Sequence, residues 1–373
     1  MTTRPPALFL AALALALSSA ACASFRDEPI GDAGVVDGGV DATVDAPSGD
    51  DDSGPPSPFT VVQALPEGEA LMAIWGADAD DIFAVGTNGL HYEYYQGTWN
   101  RDQTVLGRDL YGVWGSSPTD VYAVGIVDAN GTGIVQHWDG TEWTDEYIAP
   151  TPLYGVWGTG DLVLAVGAEG MLYGKNTGTT DWAMRLGDAG LPANPNVPQS
   201  PDEPILWAIA GTSIADFAMP ADVDRIFHAV NTGDFINLDP TVDRTVTFRS
   251  VFAVSGNPTS YFFGTNYFGV VWLTTDGPPD AALLDDDLFA IAEDQATPGA
   301  EQLFIYGIWG ANNQFLFTGD LGRIYTYDSG QDSFAPVASP TNASLYGTWG
   351  SSTSDVWIVG DREAILHGAL PSP

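Results

Sequence analysis

The chain has 373 residues and carries 49 aspartates and glutamates against 11 lysines and arginines, a formal net charge of −38 at pH 7. So acidic a surface repels nucleic acid and anionic membrane faces, which excludes DNA and RNA as partners and favours cations or basic ones. Its single cysteine, Cys22, excludes an internal disulfide, so stability must come from a hydrophobic core, and the chain is long enough to bury one.

In chain order, Arg4 precedes an apolar run, "ALFLAALALAL" (Ala7 to Leu17), followed by small residues. A basic start, a short apolar run and a small-residue cleavage point describe a secretory signal over 1–21, and the run is too short to span a bilayer. Ser19-Ala20-Ala21-Cys22 resembles the bacterial lipobox, departing from it at Ser19, where leucine is usual; that resemblance implies lipidation of Cys22. Ordinary cleavage after Ala23 is the alternative. Residues 22–58 then form a Gly/Ala/Asp/Pro-rich stretch with nine acids and one arginine, which reads as an extended, disordered tether. Beyond it, residues 59–373 keep 40 acids against nine lysines and arginines, with Lys175 the only lysine.

From residue 59 the sequence repeats. The tryptophan of "VWG" recurs as Trp75, Trp114, Trp157, Trp309 and Trp349, with Ala210 and Phe252 at the same position in two weaker copies. The spacings are 39, 43, 53, 42, 57 and 40 residues, the period of a β-propeller once two insertions are discounted. Two residues before the tryptophan stand only small residues: Ala73, Gly112, Gly155, Ala208, Ser250, Gly307 and Gly347. This fits a strand nearest the axis, where blades converge. One residue earlier the column is mostly aromatic: Met72, Tyr111, Tyr154, Trp207, Arg249, Tyr306 and Tyr346. A second strand follows in "DIFAVG", "DVYAVG" and "DVWIVG", and third and fourth strands flank turns such as Asp139-Gly140. Asp120 and Asp355 recur at the turn between the first two strands and read as turn braces.

The last copy lacks a fourth strand, and Phe59 sits 16 residues ahead of Trp75, where outer-strand residues of other copies sit. The sequence therefore predicts an all-β, seven-bladed β-propeller over 59–370, with four-stranded antiparallel blades and a ring closed by an N-terminal outer strand. The "VWG…DVWAVG" pattern resembles the seven-bladed propeller lipoproteins of Gram-negative bacteria, and in form, distantly, the photosystem II assembly factor and sialidase-type propellers. That resemblance implies a fold and a place in the periplasm or on the cell surface, and it transfers no catalytic residue.

Catalytic signatures are absent: there is no Walker loop, H-E-x-x-H, EF-hand loop or G-x-S-x-G. His137 and His367 share one repeat position, His91 lies on the same strand of the first blade and His228 reads as isolated; recurrent histidines point to blade packing. Two insertions break the repeat, Leu186 to Pro204 and Leu284 to Gln302, each read as following a fourth strand and flanking the weakest copies, blades 4 and 5. In the second, Asp285, Asp286, Asp287, Glu293 and Asp294 offer oxygen ligands for Ca²⁺ or a partner, the plainer alternative being a solvated acidic loop. No other cofactor is expected. The expectation is a monomeric, outer-membrane-anchored lipoprotein that binds an envelope protein or glycan without catalysis. The alternative is a polysaccharide-active hydrolase or lyase working in the propeller funnel.

Overall fold

Each "VWG" stretch carries β-branched and aromatic residues on both faces, which suits a strand covered on both sides, and the "DVYAVG" stretch pairs back on it. In blade 2 the four strands are Asp109–Ser117, Asp120–Ile126, Gly133–Trp138 and Trp143–Ala149, hydrogen-bonded in chain order. The computed structural model describes residues 56–103, 107–184, 204–222, 226–230, 234–238, 247–254, 260–265, 269–274, 288–290, 304–362 and 365–371. These residues form seven four-stranded antiparallel sheets, with no α-helix among them. The first strands are Leu71–Gly76, Asp109–Ser117, Leu153–Thr159, Ala210–Ser213, Phe248–Val254, Ile305–Ala311 and Leu345–Ser352. Each lies beside the next and the last lies beside the first, so the sheets close into a β-propeller. The final sheet borrows its outer strand from the other end of the sequence: Phe59–Gln63 pairs with Ile365–Gly368, Phe59 opposite Gly368.

The repeated tryptophan and its glycine act between blades. A methyl group on Gly115 would lie 2.7 Å from the ring of Trp75, one on Gly158 2.5 Å from that of Trp114, and one on Gly350 2.8 Å from that of Trp309. Gly76 meets Trp349 in the same way at 2.6 Å, across the junction where the ring closes. Four of the five tryptophans thus lie against the glycine of the following blade, where no larger residue fits, whereas Trp157 packs against Phe217 of blade 4. The small-residue column has a related cause. A methyl on Gly155 would sit 2.9 Å from Cα of Ala208, and one on Gly347 3.2 Å from Cα of Ala73, because neighbouring first strands converge there. The apolar clusters accordingly lie between successive blades, as with Leu164, Val166 and Leu172 of blade 3 packed against Phe217, Met219 and Phe227 of blade 4.

Blades 4 and 5 depart from the sequence expectation. "ILWAIAG" supplies only an isolated bridge, Leu206 to Ala221, before the regular strand begins at Ala210. Pro220, which has no N–H to give to a ladder, faces this lead-in and accepts from Trp207 N–H at 3.0 Å. In blade 5 the outer strand is Leu288–Ala290, inside the stretch expected to be an inserted loop. Asp285, Asp286 and Asp287 therefore precede that strand in sequence while Glu293 and Asp294 follow it.

Candidate functional site: the axial mouth

First and second strands join on one side of the disc, as do third and fourth. The opposite side carries the loops between second and third strands and the connections from one blade to the next. Each first strand begins on this connection side, and there the ladder slips. In blades 1, 2, 3, 5, 6 and 7 the register shifts near the start of the first strand, between the residue two places before the small one and the small residue itself. The residue left over is Met72, Tyr111, Tyr154, Arg249, Tyr306 or Tyr346. A bulge re-aims its side chain out of the pleat, and bulges gather at functional sites. Trp207 takes this place in blade 4.

Six of these side chains form two runs of contact around the mouth. Tyr111 and Tyr154 have ring centroids 5.5 Å apart, and Tyr154 and Trp207 4.8 Å. The Arg249 guanidinium lies 3.7 Å from the Trp207 ring centroid, a cation–π contact. Tyr306 and Tyr346 are 5.4 Å apart. All but Tyr154 are half-buried, so the annulus keeps accessible aromatic surface. Tyr346 Oη donates to Asp361 Oδ2 at 3.4 Å, and Arg323 pairs with Asp320 at 3.0 Å. Burial pushes the Tyr306 hydroxyl far above the usual phenol range; Asp320, Tyr346 and Asp361 add to the shift and Arg249 opposes it, so these groups share one neighbourhood. Burial likewise raises the Asp320 carboxyl, against the pull of Arg323. This column was visible in the sequence as an aromatic position, with Arg249 as its exception. The bulge that turns it outward was not, since register slips leave no residue signature of their own.

The turn aspartates have a different role. Asp120 Oδ2 accepts from the Ser116 hydroxyl and Oδ1 lies 2.7 Å from His137 Nε2. Blade 7 repeats this with Ser351, Asp355 and His367, and blade 4 with Thr212, Asp216 and His228. His228 is therefore not isolated: it faces Ala218 in the register where His137 faces Tyr122 and His367 faces Trp357. His91, by contrast, faces Val85 and packs against Trp143 of the next blade, ring centroids 4.5 Å apart. In each trio the aspartate stands in the middle. An acyl-transfer relay needs histidine between hydroxyl and carboxylate, so these trios brace three strands and lack the order of a nucleophilic triad.

Lys175 is also internal. It is 1% exposed, pairs with Glu146 of blade 2 at 2.7 Å, and gives a second hydrogen bond to the Thr179 carbonyl at 2.8 Å. Cys22, Asp285, Asp286, Asp287, Glu293 and Asp294 lie outside the described residues. Among the described residues no group of three or more His, Cys, Asp or Glu could hold a metal ion.

These features define a β-propeller with an aromatic axial mouth. No family profile and no curated protein matches the chain. Among solved structures it is similar to YCF48 bound to D1 peptide, at 13% identity and TM-score 0.62 over 85% of this chain and 98% of that one. YCF48 from Cyanidioschyzon merolae matches at 13% identity and TM-score 0.63, over 83% and 98%. The WD40 repeats of RRP9 match at 8% identity and TM-score 0.63, over 84% and 97%. The likeness to photosystem II assembly factors expected from the repeat is met at the level of fold.

Proposed function

We propose that this chain is an exported propeller, held on the outer membrane by a lipid on Cys22, that binds an envelope protein or glycan at its axial mouth without chemistry. The carrying observation is the bulge in six blades, which turns one column of the repeat, mostly aromatic, out of the packed sheets and toward the axis. Core packing gives no reason to expose tyrosine and tryptophan in this way, whereas recognition does. That a propeller of similar form is bound to a peptide supports a protein partner. The acidic stretch 22–58 would then be the tether between lipid and blade 7.

The test is retention of envelope components on the immobilised chain, compared with Tyr154→Ala and Trp207→Ala, with deletion of residues 291–302, which spares the outer strand of blade 5, as a second comparison. Loss of the retained component in the mouth variants alone is the expected result; equal retention by all forms contradicts the proposal. For the anchor, Cys22→Ala is expected to move the protein from the membrane to the soluble fraction. A second reading, a polysaccharide-active hydrolase or lyase, draws on Asp320, whose carboxyl is raised by burial as a general acid's would be and which, like Asp361, acts on Tyr306 at the mouth. Release of reducing ends from envelope polysaccharide would favour it.

A further inference from the structure

Three columns of the repeat that are hydrocarbon in other blades carry hydroxyls in blades 5 to 7, where the first strands bearing Arg249, Tyr306 and Tyr346 meet their neighbours. Ser250 follows Arg249 where the other blades have glycine or alanine. Thr348 stands where the rest have valine or isoleucine, and Thr318 faces Gly307 where blades 1, 2, 3 and 7 pair valine with the small residue. The three hydroxyl oxygens are buried and meet no hydrogen-bond partner among the described residues. A methyl on Gly307 would fall 2.5 Å from Thr318 Oγ1 and 3.3 Å from Thr348 Oγ1, so both oxygens lie close against Gly307. Buried hydroxyls without protein partners are the usual mark of an internal water position. In this sector the blade junctions behind Arg249, Tyr306 and Tyr346 are polar where those of the other blades are hydrocarbon.

The charges of this sector cancel. Arg323 offsets Asp320, and Arg249 stands near Tyr306 together with Asp361. An anionic ligand would meet two aspartates and the net charge of −38, and a cationic one would meet as many arginines as aspartates, with no net local attraction. Aromatic faces beside groups that both donate and accept, with no net charge, suit a polyhydroxylated ring with apolar C–H faces. We propose that the blade 4–7 sector of the mouth is a subsite for a neutral hexose residue of an envelope polysaccharide, stacked on Trp207 or Tyr306. This rests on the reading of the mouth as a docking surface.

The experiment is calorimetric and tryptophan-fluorescence titration of the exported chain with maltotetraose, cellotetraose and protease-treated neutral envelope polysaccharide. Binding of at least one is expected, weakened tenfold or more by Trp207→Ala and Tyr306→Ala. Trp207→Phe and Tyr306→Phe should restore it to within about threefold, since the ring faces remain. Affinity should hold between about 0.05 and 0.5 M salt, because no charge pair is formed. Binding that collapses with salt, or that Trp207→Ala leaves unchanged in a folded protein, overturns the proposal. If no saccharide binds while a protein is captured through the mouth, the glycan subsite fails and the docking reading stands. If neither binds, both fail.

Discussion

Lys175 Nζ lies 2.7 Å from Glu146 Oε1, joining blade 3 to blade 2 through the only lysine in the chain. Both side chains are nearly sealed from solvent, at 2% and 6% exposure, and Trp182 Nε1 donates to the same carboxylate oxygen at 2.6 Å. The ammonium also sits 4.6 Å from the Tyr122 ring centroid. Removing one partner strands a buried charge, so Lys175→Met should cost about 3–5 kcal/mol in denaturant unfolding. The double variant Lys175→Met with Glu146→Leu should recover most of that loss. A double variant as unstable as the single one would show that the pair contributes more than mutual neutralisation.

The tryptophan-on-glycine contact predicts where the repeat tolerates no change. Gly115→Ala and Gly158→Ala each place a methyl against a tryptophan ring and should lower stability by about 1–3 kcal/mol. At Gly330 the only nearby atom is Asp328 Oδ1, at 3.2 Å, so Gly330→Ala should cost under about 1 kcal/mol. Thermal melts of the three variants decide this, and equal melting temperatures would contradict the packing described.

One repeat position gives opposite pH behaviour in two blades. Burial raises Asp120, but hydrogen bonds from Ser116, Tyr122 and His137 outweigh it and hold the carboxyl below its usual value. In blade 1 the position is Asp81, where Ala77 replaces the hydroxyl and Glu93 replaces the histidine. Burial, Asp78 and Asp80 raise Asp81, and burial and Asp81 raise Glu93. A depressed carboxyl stabilises the fold above its unfolded pKa, and that contribution is lost as pH falls through the folded value. A raised one does the reverse, destabilising the fold at neutral pH until it is protonated. Asp120→Asn should therefore lower the melting temperature at pH 7 and Glu93→Gln should raise it, both differences shrinking toward pH 3. Same-sign shifts at pH 7 would contradict this assignment.

The fold was legible because its grammar is local. Small residues at the Gly112 position, tryptophans at the Trp114 position and Asp-Gly hairpins each follow from strand geometry that one blade already requires. The outer strand Phe59–Gln63 was legible from spacing alone. Blade 4 was not, because Pro220 removes a donor whose effect appears only once the facing segment is known. Nor was the equivalence of His228 with His137 and His367: its spacing from Asp216, 12 residues, equals that of His367 from Asp355, but the second strand of blade 4, "DFAMP", departs from the "DVWIVG" pattern that would have marked the aspartate. The mouth was half legible. Its column could be read, but function was expected where blades 4 and 5 break the repeat, whereas the bulges place the annulus within the repeat itself. The irregular residues Arg249, Ser250, Thr318 and Thr348 then make one side of that annulus unlike the rest.

The central claim, that the axial mouth is the binding surface, is tested most directly by a photocrosslinking amino acid placed in intact cells at Tyr111, on the mouth, or at Thr141, on a hairpin of the opposite side. A discrete adduct, protein or glycan, should form from position 111 and be absent from position 141. Adducts of equal yield from both positions, or from position 141 alone, would contradict it.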